Sequence, residues 1–309
     1  MTAVAILETM RKHQKRIGRY MREVVFYHPS PPRWSTPNEI VEETESYRLR
    51  SFGGAGGKRP AVLVVPPEVN RSAIIDLAPE NSLPRVLLAG GFGRVASMDW
   101  LQPGPAQAER DIDDSITDII SAALKLGPPV HLVGLCQGGW ESAIVAALRP
   151  ELVLTLTLVA APIDFSAGEG QVKWLSRLMP MAAYRTLVQL GGGIMRGEFI
   201  SAGFDMLQPF ERGFLNPLAA WNRIDDGRWL GRYHRLQNWY RTPKDLAGKA
   251  YLRIVEQLFK QNRLARGTLE VLGRRVDLRR ITCPLALVAG ERDHITPPPQ
   301  LWAAEKLVS

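Results

Sequence analysis

The chain has 309 residues, of which 45% are hydrophobic and 23% are charged, and its formal net charge is +8 at pH 7. This composition is that of a globular protein and excludes a disordered, collagen-like or fibrous chain. The length suits one large domain, alone or with an insertion. The two cysteines, Cys136 and Cys283, are too few for a disulfide scaffold, so we expect a reducing, cytoplasmic environment.

Export and membrane signals are not evident in the sequence. The first residues, 1–9, are mildly apolar, but no basic start precedes them and no small-residue cleavage site follows them. No stretch approaches the roughly 20 apolar residues that a membrane span needs. We therefore expect a soluble protein without a secretory signal.

A basic segment opens the chain, within a predicted N-terminal region of residues 1–57. Met10, Ile17 and Met21 give it an apolar stripe at helical spacing. One interpretation is an amphipathic helix that contacts a surface such as anionic lipid, and the other is a solvated helix packed on the domain. No nucleic-acid-binding module is recognisable, so we expect no nucleic-acid partner. The basic residues are Arg11, Lys12, Lys15, Arg16, Arg19 and Arg22.

Strand and helix patterns alternate from Arg59 onward. Short β-branched runs predict buried strands, and the longer segments between them have helical spacing. Such alternation is typical of an α/β fold with a mostly parallel, doubly wound sheet, whose ligands lie at the carboxyl ends of the strands. We predict strands at 61–65, 94–100, 130–135, 152–159 and 285–289, and helical segments at 72–90, 111–126, 137–148 and 299–308.

The segment 165–282 interrupts this alternation. It has a helical pattern, many large aromatic side chains and a triple glycine at Gly191–Gly193. We interpret it as a helical lid inserted over the strand ends, although the aromatic residues could instead build a small core of their own. The α/β core would then comprise residues 58–164 and 283–309. The aromatic residues are Trp174, Tyr184, Phe199, Phe204, Phe210, Phe214, Trp221, Trp229, Trp239 and Tyr240.

The most informative motif is Gly134-x-Cys136-x-Gly138 between a predicted strand and a predicted helix. This is the nucleophile-elbow pattern with cysteine in place of serine. The helix N-terminus points its free N–H groups at the sulfur, so we expect it to favour the thiolate and lower the pKa of Cys136. The N–H of Gln137 would be one donor to an oxyanion. The alternative is a buried structural cysteine at a tight turn.

Two further groups are expected around this nucleophile. The second oxyanion donor should follow the strand at 61–65, and the backbone N–H near Glu68 is our candidate because the two preceding prolines have none. An acid that orients a histidine should follow a late strand, where Asp293 is the natural choice and Glu291 the weaker one. His294 is adjacent to Asp293, so its side chain diverges, and we interpret it as structural.

Five motifs, in order along the chain, resemble the polyhydroxyalkanoate synthase family. The resemblance implies an α/β-hydrolase fold and a Cys-Asp-His triad that transfers acyl groups from hydroxyacyl-CoA onto a growing polyester. By position, Cys136 would carry the acyl group, Asp293 would orient the histidine, and Glu68 and Gln137 would line the oxyanion hole. The motifs are Pro66-Pro-Glu-Val-Asn-Arg71, Asp76-Leu-Ala-Pro-Glu-Asn-Ser-Leu83, Gly134-Leu-Cys-Gln-Gly-Gly139, Pro162-Ile-Asp-Phe-Ser166 and Val276-Asp-Leu with Cys283-Pro and Glu291-Arg-Asp-His-Ile295.

The sequence departs from this family in three places. Trp140 stands where synthases usually carry a small or polar residue, and its ring could reshape the acyl pocket. Pro298 stands where they usually carry a tryptophan. The family's histidine lies in a Gly-His pair well beyond the aspartate, whereas 16 residues follow Asp293 here and the one histidine among them is His294, adjacent to the aspartate. We expect that histidine beyond Ser309, and little turnover from a chain without it; His234 is the remaining candidate for the base.

Three functions remain open at this stage. The first is a synthase-like acyltransferase, and the second is a thioesterase, esterase or polymer depolymerase on the same fold. The third is a non-catalytic protein that binds polyester granules or a partner through the basic helix and the aromatic lid. We expect no metal and no bound cofactor, since neither paired cysteines nor a phosphate-binding loop is present and CoA would be a substrate carrier. A homodimer is also considered.

Overall fold

The computed structural model describes residues 3–53, 59–207 and 216–309. The chain forms two compact units. The larger comprises Arg33–Ile200 and Pro243–Ser309, and the smaller comprises Met1–Pro32 and Ser201–Thr242. The aromatic residues Phe210 and Phe214 lie outside the described residues. The domain division predicted from the sequence stays a prediction.

The larger unit is built on a seven-stranded sheet, with three small two-stranded sheets beside it among the described residues. The strands are β1 (Glu39–Glu43), β2 (Tyr47–Ser51), β3 (Val62–Val65), β4 (Asp76–Ala78), β5 (Asn81–Ser82), β6 (Val95–Trp100), β7 (Val130–Leu135), β8 (Val153–Val159), β9 (Ile194–Met195), β10 (Leu246–Ala247), β11 (Glu270–Val271), β12 (Arg274–Arg275) and β13 (Leu285–Val288).

The seven strands of the main sheet lie in the order β1-β2-β6-β3-β7-β8-β13. The five from β6 to β13 are parallel, while β1 and β2 form an antiparallel edge. The prediction of a mostly parallel sheet is therefore confirmed. Because all five parallel strands end at the same edge, the loops after β3, β7 and β13 lie on one side of the sheet.

The strands at the centre of the sheet are apolar because both faces are covered. All four residues of β3 are buried, and Val65 at its end is paired with Gly134 of β7. This register places the loop after β3 beside the turn that follows β7.

The described helices are α1 (Ala3–Tyr20), α2 (Leu83–Ala89), α3 (Ile112–Leu126), α4 (Gln137–Leu148), α5 (Gln171–Leu178), α6 (Met181–Leu190), α7 (Gly197–Leu207), α8 (Asn216–Arg223), α9 (Gly227–Tyr240), α10 (Gly248–Arg253), α11 (Pro298–Trp302) and α12 (Ala304–Leu307). None of these helices is long and apolar enough to cross a bilayer.

Helices α3 and α4 pack on the sheet and complete its core. Asp111 caps α3, and its side chain and that of Asp114 satisfy each other's backbone N–H groups in a capping box. The apolar face of α3, with Ile116 and Ile119, is fully buried. Every residue of α4 is buried, so this helix lies inside the molecule directly below the candidate nucleophile.

Two predicted helical segments have a different structure. Residues 72–90 form a 3-10 turn (Ser72–Ile75), the β4–β5 hairpin and the short helix α2 rather than one helix. The hairpin is stabilised by buried Asp76, whose carboxylate accepts from the N–H and the hydroxyl of Thr36, both at 2.7 Å. The C-terminal segment is divided into α11 and α12, with Ala303 between them.

Candidate active site

Cys136 lies at the junction of β7 and α4, as the Gly-x-Cys-x-Gly motif predicts. Its backbone has φ 54° and ψ −115°, a conformation that a residue with a side chain rarely adopts. The N–H of Cys136 donates to the carbonyl of Val159 on β8 at 2.8 Å, which fixes the turn to the sheet. This hydrogen bond and the surrounding packing therefore maintain the strained backbone conformation of Cys136.

Glycine is required on both sides of this turn because backbone passes there without space for a side chain. An added Cβ on Gly138 would overlap the carbonyl oxygen of Val65, and one on Gly134 would overlap Gly138. These close approaches press α4 against β3 and β7. The spacing of the motif therefore follows from packing.

The electrostatics of Cys136 differ from the expectation. Burial raises the pKa of the thiol to about 11, and the charges of Asp293 and Glu141 act in the same direction. The Gln137 N–H and the Thr296 hydroxyl bond to the sulfur and offset only part of this increase. The expectation of a lowered pKa was wrong because loss of hydration outweighs the helix N-terminus. Cys136 is a protonated thiol at neutral pH.

Asp293 lies in the loop after β13, close enough for its charge to act on the thiol of Cys136. One oxygen of its carboxylate accepts from the N–H groups of Ile295 and Thr296, both at 2.9 Å. These bonds fix the carboxylate within its own loop. The structure thus brings together the two side chains predicted as nucleophile and acid, while Glu291 is exposed.

Thr296 is a site residue that the sequence analysis did not predict. It is buried, its N–H donates to Asp293, and its hydroxyl reaches the sulfur of Cys136. One local signal was available: the side chain of an aspartate in a turn or cap commonly accepts from the backbone N–H groups two or three positions after it. Its contact with Cys136 depends on residues 160 positions apart and has no local signal.

The loop after β3, which contains Glu68, lies against the elbow. Its Val69 N–H donates to the Gln137 side-chain oxygen at 3.3 Å, and its Pro66 carbonyl accepts from the indole N–H of Trp100 at 2.9 Å. The structure therefore places the two segments predicted to supply oxyanion donors side by side.

Two buried ionisable groups, Glu141 and Lys244, lie behind this loop, and neither was singled out in the sequence analysis. Glu141 of α4 accepts from the Gln137 side-chain amide at 2.9 Å, and burial together with the charge of Glu68 raises the pKa of Glu141 well above its usual value. Lys244 donates to the Trp100 carbonyl at 3.1 Å, and burial lowers its pKa to about 8. The Glu68 side chain points into this cluster, where burial raises its pKa.

The histidines have other surroundings. In the larger unit, His131 lies within β7 and contacts the Thr155 hydroxyl at 2.9 Å, and His294 is exposed. In the smaller unit, His234 stacks on Tyr27 and contacts the Glu23 carbonyl at 2.9 Å. The carboxylate of Asp293 is bonded to backbone N–H groups, as described above.

Trp140 and Cys283 pack within the larger unit. The Trp140 side chain is 2% exposed and belongs to the main hydrophobic core, and Cys283 packs against the same core. Both cysteines are free thiols. Among the described residues, no group of three or more His, Cys, Asp or Glu side chains could hold a metal ion.

Curated relatives agree with the family resemblance. The chain is 29% identical over 274 residues to the poly(3-hydroxyalkanoate) polymerase subunit PhaC of Haloferax mediterranei, covering 85% of this chain and 54% of the relative. It is 25% identical over 314 residues to the PhaC subunit of Allochromatium vinosum, covering 98% and 87%. The chain thus spans about half the length of the Haloferax relative.

Solved structures support the fold. The monoacylglycerol lipase of Paleococcus ferrophilus superposes with a TM-score of 0.52 at 19% identity, over 86% of this chain and 85% of that chain. Rv0554 of Mycobacterium tuberculosis superposes with a TM-score of 0.50 at 16% identity, over 85% and 81%. The predicted α/β-hydrolase fold is confirmed. A family model described as "Protein of unknown function (DUF3141)" matches residues 56–305, which is most of the chain, and the chain therefore belongs to this family.

Proposed function

We propose that this chain is an acyltransferase of the polyester-synthase kind, with Cys136 as the acyl carrier. The observation that carries the proposal is the environment of this cysteine: a strained turn above α4, with the Gln137 N–H on the sulfur and Asp293 close by. The names of the PhaC relatives supply the polymer class, a poly(3-hydroxyalkanoate), and the family resemblance implies that the 3-hydroxyacyl group is delivered as its CoA thioester.

In the proposed reaction, the Cys136 thiol loses its proton to a base and attacks the carbonyl carbon of the CoA thioester. The negative charge that develops on the carbonyl oxygen is stabilised by the N–H of Gln137 and the N–H near Glu68. The C–S bond to CoA then breaks, and CoA leaves as a thiol after taking up a proton. In a second step, the hydroxyl of the chain end loses its proton to the base and its oxygen attacks the carbonyl carbon of the Cys136 thioester. The C–S bond to Cys136 then breaks, the acyl group remains on the chain end as an ester, and the Cys136 sulfur takes up the proton from the base.

The base is needed because the Cys136 thiol is protonated at neutral pH. The family resemblance implies a histidine held by Asp293 for this role. The loop of Asp293 is suited to such a partner because two backbone N–H groups already fix one carboxylate oxygen. Asp293 would hold the histidine in the correct orientation and stabilise its protonated form.

The products distinguish acyl transfer from hydrolysis, because water and a chain-end hydroxyl compete for the same thioester. We would incubate the protein with a panel of 3-hydroxyacyl-CoA thioesters and quantify CoA, free hydroxy acid and ester-linked oligomers. The proposal predicts oligomers that depend on Cys136 and are retained in a Cys283→Ala control. Free acid without oligomer would make the protein a hydrolase, and CoA release that is unchanged in Cys136→Ala would contradict both functions.

We further propose that α1 contacts the surface of a polyester granule in the cytoplasm. Leu7 and Met10 are 61% and 63% exposed, Ile17 is 44% exposed, and basic residues flank them. The opposite side of α1 packs within its own unit, where the Arg16 guanidinium lies 4.8 Å from the centre of the Trp221 ring. An exposed apolar stripe between cations suits an interface between water and an apolar phase.

Granule binding can be tested separately from turnover. Replacing Leu7 and Met10 by serine should reduce co-sedimentation with isolated granules, whereas Cys136→Ala should leave it unchanged. Equal sedimentation of the serine variant and the parent would contradict this part of the proposal. Granule binding by a parent that releases no CoA would identify a non-catalytic binding protein.

A further inference from the structure

We propose that Glu141 is a positioning residue of the candidate oxyanion site: through the Gln137 side chain it holds the loop after β3 against the elbow. The proposal rests on the proposed function, since it concerns the same oxyanion site. It assigns a role to a buried carboxyl group that the acyl-transfer steps do not use.

The link consists of two hydrogen bonds made by one side chain. The Gln137 amide nitrogen donates to the Glu141 carboxyl at 2.9 Å, and the Gln137 amide oxygen accepts from the Val69 N–H at 3.3 Å. Gln137 and Glu141 are four residues apart on α4 and therefore face the same side of the helix. The link thus runs from inside α4 to the loop that contains Glu68.

Glu141 determines which way the Gln137 amide points. A side-chain amide can rotate so that its oxygen and nitrogen exchange places, and only the partners decide between the two orientations. The Glu141 oxygen accepts a hydrogen bond and so selects the amide nitrogen, which directs the amide oxygen toward Val69. Without this acceptor, the Val69 N–H would lose a fixed partner.

A carboxyl group at the buried position of Glu141 reduces stability, so packing alone does not explain why this residue is a glutamate. Glu141 is 1% exposed, and its second oxygen has no hydrogen-bond partner among the described residues. A buried polar atom without a hydrogen-bond partner lowers the stability of the fold, and an apolar side chain of similar size would avoid that loss. Burial and the nearby Glu68 charge favour the neutral acid, whose carbonyl oxygen still accepts from Gln137. Lys244 is the cation whose charge acts on Glu141 and Glu68.

The distance between the start of α4 and the loop after β3 matters for the reaction. The proposed donors are the N–H of Gln137, at the start of α4, and the N–H near Glu68, in the loop, and both must point at one oxygen atom. A displacement of ~1 Å at such a site can lower a rate about 100-fold. The side chain of Gln137 connects α4 to the loop after β3 by a hydrogen bond. Because Glu141 orients this side chain, it affects the position of the loop and so the oxyanion site.

The test uses two variants of Glu141 and one control. Glu141→Gln keeps an acceptor oxygen in the same place, whereas Glu141→Leu removes it at similar volume. Ile144→Val is the control, because Ile144 is a fully buried residue of the same helix that packs in the main core. We would measure the acylation rate of Cys136 against the 3-hydroxyacyl-CoA concentration, and hydrogen exchange of the peptide that contains Val69.

Pro66 and Pro67 have no N–H, so Glu68 and Val69 are the first exchanging amides of the loop and few other amides contribute to the signal of this peptide. Glu141→Leu should lower the maximal acylation rate about tenfold or more at an unchanged half-saturating concentration and should speed exchange at Val69. Glu141→Gln should stay within about twofold of the parent in both measurements, and Ile144→Val should leave both unchanged.

Two results would overturn the proposal: parent-like exchange and acylation in Glu141→Leu, or an equal loss in Glu141→Gln and Glu141→Leu. A parent protein whose Cys136 accepts no acyl group would instead disprove the proposed function. The exchange measurement would still decide in that case whether Glu141 holds the loop.

Discussion

Gly138 of the elbow lies against the carbonyl oxygen of Val65 with no space for a methyl group between them. This contact joins the turn that carries Cys136 to the end of β3 and so to the loop that contains Glu68. The position of the nucleophile relative to that loop therefore depends on the absence of a side chain at residue 138.

Replacing Gly138 by alanine should therefore damage both stability and site geometry. The new Cβ meets backbone that cannot rotate away, and we expect a loss of about 1–3 kcal/mol in the free energy of unfolding. Denaturant unfolding measures this loss. Gly18→Ala in the exposed α1 is the matched control, because a Cβ there meets nothing within 4 Å, and it should stabilise by about 0.5–1 kcal/mol. Equal stability of Gly138→Ala and the parent would contradict the packing.

The reactivity of Cys136 should depend on pH as a thiol with a pKa of about 11. In a Cys283→Ala background, the rate of alkylation by iodoacetamide should rise tenfold per pH unit up to pH ~9.5 without levelling off, whereas an ordinary cysteine levels off above about pH 8.5. The pKa is raised rather than lowered because burial favours the neutral thiol, so ionisation occurs at higher pH. A plateau below pH 8 would instead show a thiolate stabilised by the helix N-terminus.

The Thr296 hydroxyl should make Cys136 more reactive, because its hydrogen bond to the sulfur lowers the thiol pKa. Thr296→Val removes the hydroxyl at similar size, so the pKa should rise further and alkylation at pH 9 should slow by a measurable factor. Thr296→Ser keeps the hydroxyl and should retain the parent rate. The bond from the Thr296 N–H to Asp293 is present in both variants, so a difference between them reports the hydroxyl alone.

Trp140 should contribute mainly to stability. Its ring is enclosed by the main core, so Trp140→Ala should lower the free energy of unfolding by about 3–5 kcal/mol and Trp140→Phe by less. Thermal and denaturant unfolding measure both. If the ring instead shaped the acyl pocket, Trp140→Phe would change which acyl chain lengths react while leaving stability nearly unchanged.

The elbow could be predicted from the sequence because its signals are local. The strand, the glycine spacing around Cys136 and the following helix all lie within residues 130–148, and each follows from periodicity or backbone sterics. The hairpin at 76–82 was missed because its stability comes from the buried contact of Asp76 with Thr36, 40 positions away. The spacing of apolar residues within a short segment cannot predict a contact with a residue so far away in the sequence.

The electrostatics of the site could not be predicted in the same way. The pKa of Cys136 is set by burial under several separate segments, which outweighs the helix N-terminus visible in the motif. Glu141 looks in the sequence like an ordinary helix residue, and only the packed structure shows that all of α4 is buried. Loss of hydration depends on the whole fold, so residues such as Glu141 and Lys244 emerge as unusual only there.

The most direct measurement is the intact mass of the protein after exposure to a 3-hydroxyacyl-CoA at pH 9, where more of the thiol is ionised, followed by peptide mapping. We predict an added mass equal to one acyl group, located on Cys136, released by hydroxylamine and absent from Cys136→Ala. An adduct on another residue, or a parent protein that releases CoA while Cys136 remains unmodified and alkylatable throughout, would contradict the role of Cys136 as acyl carrier.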